Sequence, residues 1–76
     1  MKYPAYTVFP NGTIFLEKCE FGDWCKFGER CEFGERCEFG VGCKFSAGCE
    51  FGECCEFGAG CEFGEYCVKL IYVPVQ

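Results

Sequence analysis

Residues 19–66 read CEFGDW, CKFGER, CEFGER, CEFGVG, CKFSAG, CEFGEC, CEFGAG and CEFGEY, eight six-residue units in unbroken succession from Cys19 to Tyr66. Within each unit the first and third residues are apolar and the second is charged. That is the period-two alternation of a short strand with one buried face: Cys and Phe point inward, Glu or Lys outward. The following Gly-x-x supplies a bend, and no 3.6-residue pattern competes with this reading. A three-residue strand cannot bury its own face. Successive units must therefore wrap into coils whose strands stack roughly 4.8 Å apart, in ladders of like residues.

The same frame extends backwards through TIFLEK, TVFPNG and MKYPAY and loosely forwards through CVKLIY and VPVQ, so the 76 residues form about twelve hexads. The expectation is an all-β parallel solenoid in one domain. Residues 1–18 are degenerate N-terminal repeats or a cap, 19–66 the regular array, and 67–76 a C-terminal cap or tail. Lys69 stands where the next inward phenylalanine belongs and marks the end of the regular core. The tail Leu70, Ile71, Tyr72, Val73 is apolar and β-prone, which makes it either a folded-back cap or a homodimer contact, with Pro74 blunting further pairing.

Read from phenylalanine, the unit F-G-x-x-C-E resembles the hexapeptide repeat of left-handed parallel β-helices. That family's pattern is an aliphatic residue, a small or acidic one, two variable positions, a small residue and a variable one. Here Phe replaces the aliphatic residue and Cys the small one, and both changes enlarge the core. The resemblance implies three-sided coils of about eighteen residues and a left-handed turn. The second choice is the pentapeptide-repeat family, which C-E-F also resembles; its coils are four-sided and its period is five, whereas the period here is six throughout.

With eighteen residues per coil, Tyr3, Phe21, Phe39 and Phe57 form one inward stack, Phe9, Phe27, Phe45 and Phe63 a second, and Phe15, Phe33 and Phe51 a third. At ~1.5–3 kcal/mol per buried large side chain, the phenylalanines contribute on the order of 15–30 kcal/mol, offsetting much of the ordering entropy of so small a chain. Glycine fills the fourth position of most units, but Pro4, Pro10, Leu16 and Ser46 fill it elsewhere. Proline fixes φ near −65°, so this position does not require positive φ; glycine is there to let neighbouring backbone pass closely.

Nine of the ten cysteines occupy the small inward site, from Cys19 to Cys67 at six-residue intervals, and read as buried thiol filler. Side chains in register on parallel strands suit disulfide torsions poorly. The C-x5-C spacing without histidine does not make a zinc or iron–sulfur site, so no metal or other cofactor is expected. Cys54 alone lies off the ladder and is the candidate reactive thiol.

The outward second positions put Glu20, Glu38 and Glu56 on one face and Glu32 and Glu50 on another, while Glu17, Glu35 and Glu53 mark a corner flanked by Lys18 and Arg36. Lys26 and Lys44 share the remaining face with Val8 and Glu62. Glu20, Glu32, Glu35, Glu38, Glu50, Glu53 and Glu56 are the candidate interaction surface. A net charge of −5 argues against direct nucleic-acid binding and allows a basic protein partner. Acidic arrays of the pentapeptide-repeat family can imitate DNA, so the expected function is a non-enzymatic, rigid protein-interaction module, in one form an inhibitor of a DNA-binding protein. The alternatives are a cysteine-ladder redox or metal-binding protein and a purely structural scaffold.

No catalytic residue is assigned. The acyltransferases of the hexapeptide family depend on a histidine, which this sequence lacks, and there is no Gly-rich phosphate loop or paired nucleophile and base. Ice-binding solenoids carry outward threonine ranks, whereas Thr7 and Thr13 fall on inward positions here. Pro4, Pro10 and the Asn11-Gly12 turn interrupt the first twenty residues, so neither a signal peptide nor a membrane span is expected and the chain is placed in the cytoplasm. In that compartment thiols stay reduced.

Overall fold

The structure, a computed structural model, describes residues 1–69. Each hexad contributes one two-residue strand from its second and third positions. In chain order these are β1 (Lys2–Tyr3), β2 (Val8–Phe9), β3 (Ile14–Phe15), β4 (Glu20–Phe21), β5 (Lys26–Phe27), β6 (Glu32–Phe33), β7 (Glu38–Phe39), β8 (Lys44–Phe45), β9 (Glu50–Phe51), β10 (Glu56–Phe57), β11 (Glu62–Phe63) and β12 (Val68–Lys69). They form three parallel four-stranded sheets, β1-β4-β7-β10, β2-β5-β8-β11 and β3-β6-β9-β12. The coil therefore has three sides, with eighteen residues from each strand to the one stacked on it. Each sheet rises through three such steps. We call the sheets the first, second and third faces. The degenerate first hexads form a full coil in the same register, and Lys69 pairs with Phe51 as the frame requires.

Hydrogen bonding explains why six residues suffice per side. The second residue's N–H donates to the first residue's carbonyl one coil earlier, as in Glu38 N–H to Cys19 O at 2.9 Å. The fourth residue's N–H donates to the third's carbonyl, as in Gly40 to Phe21 O at 2.9 Å. At the corner the direction reverses: the Trp24 N–H donates forward to Val41 O at 2.8 Å. Asn11 and Asp23 add side-chain rungs, each Oδ1 accepting the N–H of Glu29 or Val41 above it at 2.8 Å. In the stacked coils the second, fourth and sixth N–H groups of a hexad are thus partnered between coils.

The aromatic residues fill the triangle. Rings one coil apart are stacked, for example Phe21 on Phe39 with centroids 4.9 Å apart and planes 3° from parallel. Rings on successive sides meet edge to face, Phe33 and Phe39 at 5.1 Å and 84°. Both geometries suit the ring quadrupole, and each such pair contributes roughly 0.5–1.5 kcal/mol beyond area burial.

At the fourth position Gly22, Gly28, Gly34, Gly40, Gly52, Gly58 and Gly64 all have ordinary φ, as proline at that site foretold. A Cβ on Gly34 would lie 2.8 Å from the Glu17 nitrogen of the coil below. Pro4, Pro10 and Leu16 belong to the first coil, which has no described coil beneath it, so the close approach does not arise there. The left-handed conformation sits instead at the sixth position of every described hexad. Tyr6, Lys18, Trp24, Arg30, Arg36, Cys54 and Tyr66 adopt φ of 58–66°, and Gly12, Gly42, Gly48 and Gly60 fill the other corners. Gly42 leaves room for the Trp24 ring, which lies across it. The Gly-x-x pattern locates the bend but does not announce the positive φ of its last residue.

Candidate functional site

The chain leaves the third face, turns one corner and enters the first face. The glutamates singled out from the sequence line up along this path. Glu32 and Glu50 are register partners on the third face, and Glu20, Glu38 and Glu56 succeed one another on the first. Between them runs the corner of Glu17, Glu35 and Glu53, where the Lys18 and Arg36 N–H groups donate to Glu35 O and Glu53 O at 2.9 Å. These residues thus form one acidic edge. It carries eight of the chain's twelve carboxylates against four of its seven cations, Lys2, Lys18, Arg36 and, in the last strand of the third face, Lys69. Eight carboxylates against four cations put −4 of the formal net charge of −5 on this edge.

Like charges opposite one another in a ladder repel. Among the described residues one ion pair moderates this, Arg36 Nη1 to Glu35 Oε1 at 3.3 Å, and both side chains are well exposed. Cys54 continues the column of Lys18 and Arg36 at the same corner and is exposed, with φ of 61°. The edge is therefore displayed on backbone fixed by the ladder bonds and the ring stacks beneath, with little pairing among its own charges. Leu70, Ile71, Tyr72 and Val73, the candidate dimer contact, lie outside the described residues.

The cysteine ladder has a role that the sequence reading missed. Each thiol from Cys25 to Cys67 on the ladder donates to the fourth-position carbonyl twenty-one residues earlier, as in Cys43 Sγ to Gly22 O at 3.4 Å. Cys19 reaches Leu16 O at 3.2 Å, and Thr7 and Thr13 make the equivalent bonds to Pro4 O and Pro10 O at 2.7 Å. Threonine alternating with cysteine at one repeat position was the available signal, since the two share a donor and little else. All ten cysteines are free thiols. Burial pushes the Cys37, Cys43 and Cys49 thiols up to about 11 and also raises Cys55. Such thiols are poor nucleophiles and poor ligands near neutral pH.

The chain matches no protein-family model, no curated protein and no solved structure. Its function has to be argued from the edge itself. Among the described residues no helix is long and apolar enough to cross a membrane, and no group of three or more His, Cys, Asp or Glu is placed to hold a metal ion.

Proposed function

We propose that the protein is a non-enzymatic interaction module whose acidic edge binds a basic protein surface, and that the surface is one that otherwise binds nucleic acid. The observation that carries this reading is the concentration of eight of the twelve carboxylates on one edge of a rigid solenoid. Three carboxylate ladders run side by side there, each with a rise of about 4.8 Å, which gives one carboxylate per roughly 1.6 Å of axis. Duplex DNA carries one charge per about 1.7 Å. Lys18 and Arg36 lower the net density at the corner, and the two flanking ladders alone give one carboxylate per roughly 2.4 Å, so the corner glutamates are needed for the match. The bonded, raised thiols argue against the rival reading of the cysteine ladder as a redox or metal site. Kinship with the left-handed hexapeptide-repeat helices and a cytoplasmic location belong to the same proposal, supported by the three-sided eighteen-residue coil and the reduced thiols.

A displacement assay tests it. A basic DNA-binding domain is held on a labelled duplex, and the protein is added at low and then rising salt. Release of the duplex that weakens steeply with salt is expected. A chain with Glu32, Glu35, Glu38, Glu50 and Glu53 changed to glutamine should not release it. No release at about 50 mM salt, or equal release by the glutamine chain, overturns the reading.

A further inference from the structure

The regular stretch departs from C-E-F-G at the first four positions of its hexads only three times: lysine replaces glutamate at Lys26 and Lys44, and serine replaces glycine at Ser46. The fold brings the three together. Lys26 and Lys44 are register partners on the second face. With Ser46 they line one open groove of about 370 Å³, together with Phe27, Phe45 and Glu62.

All three departures leave polar groups that nothing within the described residues engages. Two ammonium groups in register repel, and neither is in an ion pair. Glu62, next above Lys44 in the ladder, does not close one either. Ser46 puts a Cβ where its counterparts are glycine, and its N–H bond to Phe27 O is 3.1 Å, against 2.7–3.0 Å at the equivalent glycines. Its hydroxyl has no partner among the described residues. Two unpaired cations and an unpaired hydroxyl thus share one open groove, and Glu62 at its upper end engages none of them.

We propose that this groove binds a small phosphoryl oxyanion, with Lys26 and Lys44 supplying the charge and the Ser46 hydroxyl a directional hydrogen bond. Glu62 closes the upper end to negative charge, which restricts the site to a single phosphate-sized group and excludes a long polyanion. The site lies on the side of the triangle opposite the acidic edge and stands or falls independently of it.

The substitutions that test it write the repeat's own consensus. Lys26→Glu, Lys44→Glu and Ser46→Gly each restore C-E-F-G, so the variants keep the ladders of their neighbours. Inorganic phosphate is titrated into isotopically labelled protein at constant ionic strength, with chloride as the balancing ion, and amide shifts are followed by NMR. Saturable shifts at Lys26, Lys44 and Ser46 are expected, with the acidic-edge amides still. Each lysine reversion should weaken binding about five-fold, and the triple reversion should abolish saturation. Shifts that stay linear, or that persist in the triple reversion, overturn the proposal.

Discussion

Replacing Gly34 by alanine probes the contact that fixes the coil spacing. The new Cβ would meet Glu17 N at 2.8 Å, Leu16 C at 2.9 Å and Glu17 Cα at 3.0 Å. All three are backbone atoms, so no side chain can swing aside. The coils must separate locally, at the expense of the Gly34 N–H bond to Phe15 O, which is already 3.0 Å. Overpacking of this kind costs about 1–3 kcal/mol, and the reduced freedom of alanine in the unfolded chain returns about 0.4–1 kcal/mol. The expected net loss is about 1–2 kcal/mol. Leu16→Ala is the control: it occupies the same repeat position one coil earlier and is 79 % exposed, so it should change stability by less than about 0.5 kcal/mol. Urea unfolding followed by Trp24 fluorescence and far-UV circular dichroism measures both, provided the two probes coincide and the slope is unchanged. If Gly34→Ala shifts the midpoint no further than Leu16→Ala, the close-approach account of the glycine ladder is wrong.

Two further predictions concern the thiols. Cys37→Ser should be at least as stable as Cys37→Ala, because the hydroxyl can keep the bond to Leu16 O, whereas for an inert filler site a buried unbonded hydroxyl would be worse by about 1–3 kcal/mol; urea midpoints decide the order. Stability should also fall as pH rises. The ordinary thiol value is 9.0 and the folded Cys37, Cys43 and Cys49 stand at about 11, so above pH 9 the unfolded chain has released protons that the fold retains. The contribution is intact below that window and lost through it, which urea midpoints at a series of pH values will show, with iodoacetamide labelling Cys54 before the ladder.

The solenoid was legible because its determinants are local and repeated: each hexad states the same inward and outward positions, and the six-residue period chose three sides over four. The ring stacks and the outward ladders followed from arithmetic in steps of eighteen. What escaped was whatever depends on dihedral angle or on a bond across coils. Nothing in D-W, E-R or E-C announces a left-handed sixth residue, because non-glycine side chains there run against the usual steric preference. The bond from Cys43 to Gly22 O links residues twenty-one apart and needs the corner geometry to be seen. The single acidic edge was in the sequence as separate groups of glutamate, but only the order of faces around the coil joins them.

The repeat also divides its positions by what a change costs, and this gives the surface its meaning. The first, third and fourth residues hold the ladder, rings and coil spacing; the second, fifth and sixth are displayed. At the sixth, glycine appears at four corners and a side chain at seven, all with positive φ. A non-glycine residue in that conformation costs about 1–2 kcal/mol, of which glycine's own entropy cost of roughly 0.5–1 kcal/mol is avoided. Each decorated corner therefore gives up at most about 1.5 kcal/mol. Packing does not require the exposed Lys18, Arg36 or Cys54 side chains at their shared corner, since the ladder bonds there are made by backbone. The same reasoning applies to Ser46 at the fourth position. Trp24 packs across Gly42 of the next coil, whereas the fold has no need of the exposed Lys18, Arg36 and Cys54 side chains; on the proposed reading of the edge these are the first positions at which to look for contact with a basic partner.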